Sequence, residues 1–114
     1  MFYLAYGSNL CTGRLRRRVP SARPLFVTKL DGHKLKFHKR SVDGTGKADA
    51  FETGQQADVV WGVLFDLDEK DKTALDDAEG LGEGYAEKTV VLRDCGEREY
   101  AASTYVAETG SGVF

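Results

Sequence analysis

The pattern of hydrophobic and polar positions predicts seven strands and two helices. Apolar or alternating runs typical of strands cover residues 2–6, 23–30, 33–40, 47–52, 58–67, 84–94 and 98–108. Helical periodicity covers residues 10–19 and 68–81. Because only two helices interrupt the strands, the order favours an α+β fold with a largely antiparallel sheet, which could curl into a small β-barrel.

Short polar signals between these runs predict how the elements begin and end. Asn9 is placed to cap the first helix, which Pro20 then ends. Asp68 is placed to cap the second helix in the same way. The pair Asp31-Gly32 is a strong hairpin signal, so we expect the second and third strands to pair with each other.

One strand is expected to lie at the centre of the sheet. In residues 58–67 the alternating side chains of both faces are apolar, with Val60, Gly62 and Leu64 on one face and Trp61, Val63 and Phe65 on the other. A strand that is exposed on one face would instead alternate between apolar and polar residues. The pattern therefore predicts a central strand.

Length and composition indicate one domain, residues 1–114. Apolar residues make up 41% and charged residues 30% of the chain, which is ordinary for a globular protein. No apolar run approaches the roughly 20 residues of a membrane span, and no basic segment precedes an apolar region at the start. Two cysteines, Cys11 and Cys95, do not make a disulfide framework. We therefore expect a cytoplasmic protein with no membrane partner.

The net charge of −2 conceals a basic first third of the chain. Residues 11–40 contain ten Lys or Arg side chains and one acid, with arginines concentrated between Arg14 and Arg18. Such a cluster could bind nucleic acid, but no aromatic residues are interleaved with it. A solvated helix end, where arginines favour the negative end of the helix dipole, is the favoured interpretation.

The usual signatures of metal and nucleophilic sites are missing from the sequence. It contains no Cys-x-x-Cys, no His-x-x-x-His and no carboxylate-rich calcium loop, so we expect no metal and no cofactor. His33 and His38 are interpreted as exposed strand residues. Cys11 begins a predicted helix, where the pKa of a thiol can fall, but no partnering base is evident.

Two other features could carry chemistry. The first strand ends in a tight turn at residues 6–9, where amides at a helix start could hold a carboxylate or an oxyanion. Glu79 is the last acid before a glycine-rich break, at a helix end that tends to raise a carboxylate pKa. Asp76 and Asp77, by contrast, are interpreted as acids of the helix face or local caps.

Several segments together resemble the γ-glutamylcyclotransferase family. The matching pieces are "YLAYGSNL" at the start, "RVPSA" after the first helix, "VVWGVLFDL" in the central strand, "LDDAEGLGEGY" and "STYVA". Their order and spacing agree with the family over nearly the whole chain. The resemblance implies a small mixed β-barrel with flanking helices, in agreement with the α+β prediction.

The resemblance also implies an enzyme and its site. It implies that Glu79 is the acid/base that shuttles a proton, and that Tyr85 contacts the substrate. The residues implied to line the site at the first turn are Tyr3, Leu4, Ala5, Tyr6, Gly7 and Ser8, with Asn9 shaping the turn. The implied reaction releases 5-oxoproline and a free amine or amino acid from a γ-glutamyl substrate, as in glutathione metabolism, without a cofactor. A homodimer is left open.

The chain departs from the family after "STYVA". There the family continues into a helical region with a further tyrosine that contacts the substrate, whereas this chain stops at Phe114. We therefore expect a single domain without the usual C-terminal extension. A non-catalytic binder of γ-glutamyl or acidic small ligands stays open as an alternative, and a nucleic-acid-binding module is the less favoured one.

Overall fold

The computed structural model describes residues 1–6, 12–40, 46–79, 81–82 and 85–107, and these form seven strands and two helices. The strands are β1 (Phe2–Ala5), β2 (Arg23–Asp31), β3 (His33–Arg40), β4 (Gly46–Glu52), β5 (Val59–Asp66), β6 (Tyr85–Arg93) and β7 (Glu99–Ala107). The helices are α1 (Thr12–Arg18) and α2 (Lys72–Glu79), the second preceded by a 3₁₀ turn at Glu69–Asp71. Every predicted strand and helix is present, which confirms the α+β class.

Five strands form one sheet and two form another. The larger sheet has the order β2-β5-β1-β7-β6, and β3 pairs with β4 in the smaller one. All pairings are antiparallel except that between β1 and β7. The sheets are therefore mixed and largely antiparallel, as predicted.

The larger sheet curls but is not closed by backbone pairing among the described residues. Its edge strands β2 and β6 approach each other where the Thr28 hydroxyl donates to the Arg93 carbonyl oxygen over 3.1 Å. This contact comes from a side chain, and no β2–β6 ladder accompanies it in the described ranges. The closed barrel is therefore not confirmed.

The predicted hairpin between the second and third strands is wrong. Gly32 does form a turn, with φ of 75°, but β2 pairs with β5 and β3 pairs with β4. The Gly32 carbonyl oxygen accepts from the amides of Thr53 (2.8 Å) and Gly54 (3.2 Å). The turn thus carries the chain from one sheet to the other.

The core lies on both faces of the larger sheet. One buried cluster, around Leu15, Phe65 and Leu75, lies between the sheet and the helices. The other, around Leu4, Leu64 and Leu92, lies on the opposite face. Strand β5 is flanked by β2 and β1 and contributes to both clusters, which confirms the predicted central strand.

Helix α2 begins differently from the prediction. Asp68 stands at the N-cap, but its side chain makes no capping hydrogen bond. The Ser21 hydroxyl accepts from the Asp68 amide (2.9 Å) and donates to Asp71 Oδ2 (2.6 Å). A side chain from the segment after α1 thus satisfies the start of α2 and docks the two helices together.

None of the described helices is long and apolar enough to span a membrane.

His33 is buried, with only 5% of its surface exposed, so the expectation of an exposed residue is wrong. Its Nε2 lies 2.8 Å from Lys88 Nζ, and its Nδ1 lies 2.9 Å from the Asp31 carbonyl oxygen. Because an ammonium can only donate, Nε2 is the acceptor and Nδ1 carries the proton. Covered by the chain around it, His33 links the β2–β3 turn to β6. The side chain of His38 lies outside the described residues.

Candidate active site

A carboxylate and a phenol meet where β1 and α2 come together. Tyr3, only 2% exposed, donates its hydroxyl hydrogen to Glu79 Oε1. The Tyr3 ring packs against Phe65 and Tyr105, with centroids 6.5 and 6.0 Å away. Glu79 is the last residue of α2 and is half-buried. A rigid strand residue therefore orients a carboxylate at a helix end.

Tyr6, directly after β1, joins three strands through its hydroxyl. It donates to the Tyr105 carbonyl oxygen on β7 and accepts from the Ala50 amide on β4 over 3.1 Å. Burial raises the pKa of Tyr6 above its usual range, and the charge of Asp49 adds to the effect. A neutral phenol that makes two hydrogen bonds thus holds the end of β1 in place.

Tyr85 and Asp49 extend the site on the side of β6 and β4. Tyr85, 5% exposed, begins β6. Burial, and then the negative charges of Asp49 and Glu79, raise the pKa of Tyr85 to about 12. Asp49 is 2% exposed and accepts from the Ala107 amide over 2.7 Å. A neutral phenol therefore lies within the field of two carboxylates.

Sequence reasoning missed Asp49 altogether. It lies in a short predicted strand, "KADAFE", where a single acid looks like an ordinary solvent-facing residue. The only available signal was its position between two alanines, which is weak. Its burial arises because β4 packs against β7, a contact between distant parts of the chain.

A network under the site anchors α2 to the sheet. Asp76 Oδ1 accepts from Lys72 Nζ over 2.5 Å and also from the Tyr105 hydroxyl. Lys72 in turn reaches Glu87 Oε1 on β6 over 2.9 Å. Burial pushes the pKa of Asp76 upward, but the hydrogen bonds from Lys72 and Tyr105 outweigh it and hold the pKa below its usual range. Asp76 is thus a tie between helix and sheet as well as a helix-face acid.

The remaining predicted site residues fall into two groups. Leu4 and Ala5 are fully buried in the core, and the Leu4 carbonyl oxygen accepts from the Thr104 hydroxyl over 3.0 Å. Gly7, Ser8 and Asn9 lie outside the described residues. Of the predicted set, the structure therefore brings together Tyr3, Tyr6, Tyr85 and Glu79 at one end of the sheet.

The arginine segment lies at the C-terminal end of α1, and its described side chains are exposed. Arg16 Nε donates to the Ala22 carbonyl oxygen over 2.8 Å, which ties the helix end to the following loop. Arg23 pairs with Asp66 over 2.6 Å. Within the described chain, no group of three or more His, Cys, Asp or Glu side chains could hold a metal ion.

These elements define a class: an α+β protein with a half-buried carboxylate held by a buried tyrosine at one end of a curled sheet. The chain belongs to the family "Gamma-glutamyl cyclotransferase, AIG2-like", whose family model matches residues 3–112.

Curated relatives and solved structures agree with this assignment. The chain is 36% identical to human γ-glutamylcyclotransferase over 87 residues and 37% identical to the bovine protein. Each alignment covers 72% of this chain but only 45% of the relative, so the chain spans less than half their length.

Among solved structures, one described as a γ-glutamyl cyclotransferase superimposes with a TM-score of 0.86 at 31% identity. The superposition covers 96% of this chain and 67% of the matched chain. YkqA from Bacillus subtilis shares the fold, with a TM-score of 0.77 at 24% sequence identity. That superposition covers 96% of this chain and 40% of the YkqA chain.

Proposed function

We propose that the protein is a γ-glutamyl cyclotransferase, which releases 5-oxoproline and a free amine or amino acid from a γ-glutamyl substrate. The observation that carries the proposal is the hydrogen bond from Tyr3 to Glu79. It fixes one carboxylate against β1, the strand that precedes the "YGSN" segment in the sequence. The family membership and the likeness to curated γ-glutamylcyclotransferases support the same conclusion.

The reaction is an intramolecular aminolysis. The α-amine of the glutamyl group attacks its own γ-carbonyl carbon, a C–N bond forms within a five-membered ring, and the bond to the leaving amine breaks. Since the nucleophile is already attached, the enzyme mainly has to hold the chain in a conformation that closes the ring. An ammonium cannot attack, so a base must first remove its proton.

Glu79 serves as that base and then as the acid that protonates the leaving amine. Tyr3 is a positioning residue, because its hydroxyl donates to Oε1 of Glu79 and so holds the carboxylate in one orientation. Tyr85 stays protonated, because its pKa is raised to about 12, and it is the proposed substrate contact on β6. The donors for the tetrahedral oxyanion are expected among the backbone amides of residues 6–9.

The direct test measures 5-oxoproline released from γ-glutamyl amino acids by the wild-type protein and by Glu79→Gln. Gln has nearly the same shape but cannot accept the proton, so we expect a loss of about 10²- to 10⁴-fold in kcat. Asp77→Asn is the matched control, because Asp77 is an exposed acid on the same helix. It should keep full activity.

Two results would contradict the proposal. Unchanged turnover by Glu79→Gln would show that another group is the base. Binding of γ-glutamyl compounds without any 5-oxoproline would favour the alternative of a non-catalytic binder. A closed barrel, glutathione-linked metabolism and homodimer formation stay predictions, as does the cytoplasmic location expected from the composition.

A further inference from the structure

An open groove lies between β4 and the β6–β7 hairpin. Its volume is about 750 Å³. Asp49 and Ala107 line one end, and Glu52 and Lys88 line the other. Ala107 pairs with Tyr85 across the hairpin. The charge of Asp49 also acts on Tyr6 and Tyr85, so the Asp49 end of the groove adjoins these two residues of the proposed site.

Lys88 is held against the wall of this groove. Its Nζ donates to His33 Nε2 over 2.8 Å and to Glu52 Oε1 over 3.0 Å. An ammonium has three hydrogens, and no residue in the described ranges accepts the third. His33 is buried and takes part in a second hydrogen bond, so it is a rigid acceptor that orients the ammonium.

The charges along the groove differ between its ends. Asp49 places a buried carboxylate near the reacting centre. Lys88 places an ammonium towards the other end, beside Glu52, which is three residues further along β4, or about 10 Å. A ligand carboxylate close to the scissile bond would meet the negative charge of Asp49. A carboxylate further out would meet Lys88.

We propose that Lys88 is a specificity-determining residue, which binds a carboxylate at the far end of the leaving amine. The inference rests on the proposed function, because it assigns the groove to the leaving group of that reaction. It deepens that function by defining a substrate class: γ-glutamyl conjugates of amines with a distant carboxylate.

The test compares matched acids and amides. The substrates are γ-glutamyl conjugates of glycine, 4-aminobutyric acid and 6-aminohexanoic acid, each alongside its carboxamide. We expect kcat/KM to favour the acid by about tenfold in the longer conjugates, the scale of one partly exposed charge-assisted hydrogen bond. The glycine conjugate should show no such preference.

Variants then assign the preference to Lys88. Lys88→Gln should remove the acid preference while the amides react as before, and Lys88→Arg should keep it. Glu52→Gln removes the carboxylate that competes for Lys88, so the acid preference should rise. Lys29→Gln, which removes an equal charge from an exposed position on β2, should change nothing.

The outcomes separate the two proposals. If every conjugate releases 5-oxoproline but Lys88→Gln leaves the acid-to-amide ratio unchanged, the role of Lys88 is refuted and the cyclotransferase function stands. If no conjugate releases 5-oxoproline, the cyclotransferase function is refuted, and the role of Lys88 with it. The ratio is internal to each variant, so a partly destabilised protein still gives a decisive result.

Discussion

Asp76→Asn should destabilise the protein without touching the chemistry. The carboxylate accepts from both Lys72 and Tyr105, and its side chain is only 21% exposed. A hydrogen bond to a charged group contributes about 1.5–3 kcal/mol, and one between neutral groups contributes about 0.5–1.5 kcal/mol. Replacing the carboxylate with a neutral amide therefore weakens each of the two hydrogen bonds by about 1 kcal/mol. Partial solvent access reduces the sum, and we expect a loss of about 1–2 kcal/mol in the free energy of unfolding.

The assay is urea unfolding of the wild type, Asp76→Asn and Asp77→Asn at pH 7 and at pH 3. The pKa of Asp76 is lowered in the folded state, so its stabilisation is present above the ordinary pKa of 3.8 and is lost as the pH falls further. The difference between wild type and Asp76→Asn should therefore be full at pH 7 and shrink at pH 3. Asp77→Asn should stay within about 0.5 kcal/mol of wild type.

A double-mutant cycle with Tyr105→Phe isolates the contact to β7. We expect a coupling energy of about 1 kcal/mol, since the two residues share one hydrogen bond. Equal stability of the two Asn variants at pH 7 would refute the idea that Asp76 ties α2 to the sheet. A stable Asp76→Asn protein without turnover would instead place Asp76 in the reaction.

Three further predictions follow from single contacts. Folded Tyr85 keeps its proton to about pH 12, whereas an unfolded tyrosine loses it near pH 10, so stability should fall with rising pH across this range. Tyr85→Phe should make that fall shallower in unfolding experiments. Gly62→Ala should lower the unfolding free energy by about 1–3 kcal/mol, because its Cβ would lie 2.4 Å from the Ala5 carbonyl oxygen. Thermal melts should show that Arg16→Gln loses about 1 kcal/mol, whereas Arg17→Gln, an exposed control, does not.

Local pattern alone predicted the class of fold and the extent of most elements. Residues 58–67 carry apolar side chains on both faces, and β5 does lie inside the sheet. Such periodicity shows which side chains of a segment point towards the core, and every second residue of a strand repeats the signal. Where one side chain from elsewhere decided the outcome, as Ser21 does at the start of α2, the local signal at Asp68 was not enough.

The family resemblance, rather than the pattern, indicated Glu79 as the acid/base. The pattern distinguished Glu79 from Asp77 only weakly, as the last acid before a glycine-rich break at a helix end. The tertiary structure does distinguish them, because Tyr3 donates to Glu79 across 76 positions of the chain.

The sequence by itself determined which segments are strands and helices, and which of their faces are apolar. Only the tertiary structure decided that β2 and β3 part into different sheets, that Asp49 and His33 are buried, and that Tyr105 anchors Asp76. The physical reason is that hydrophobic periodicity is a local property. Strand partners and buried polar contacts instead depend on the competition among distant segments for the same hydrogen bonds and the same space.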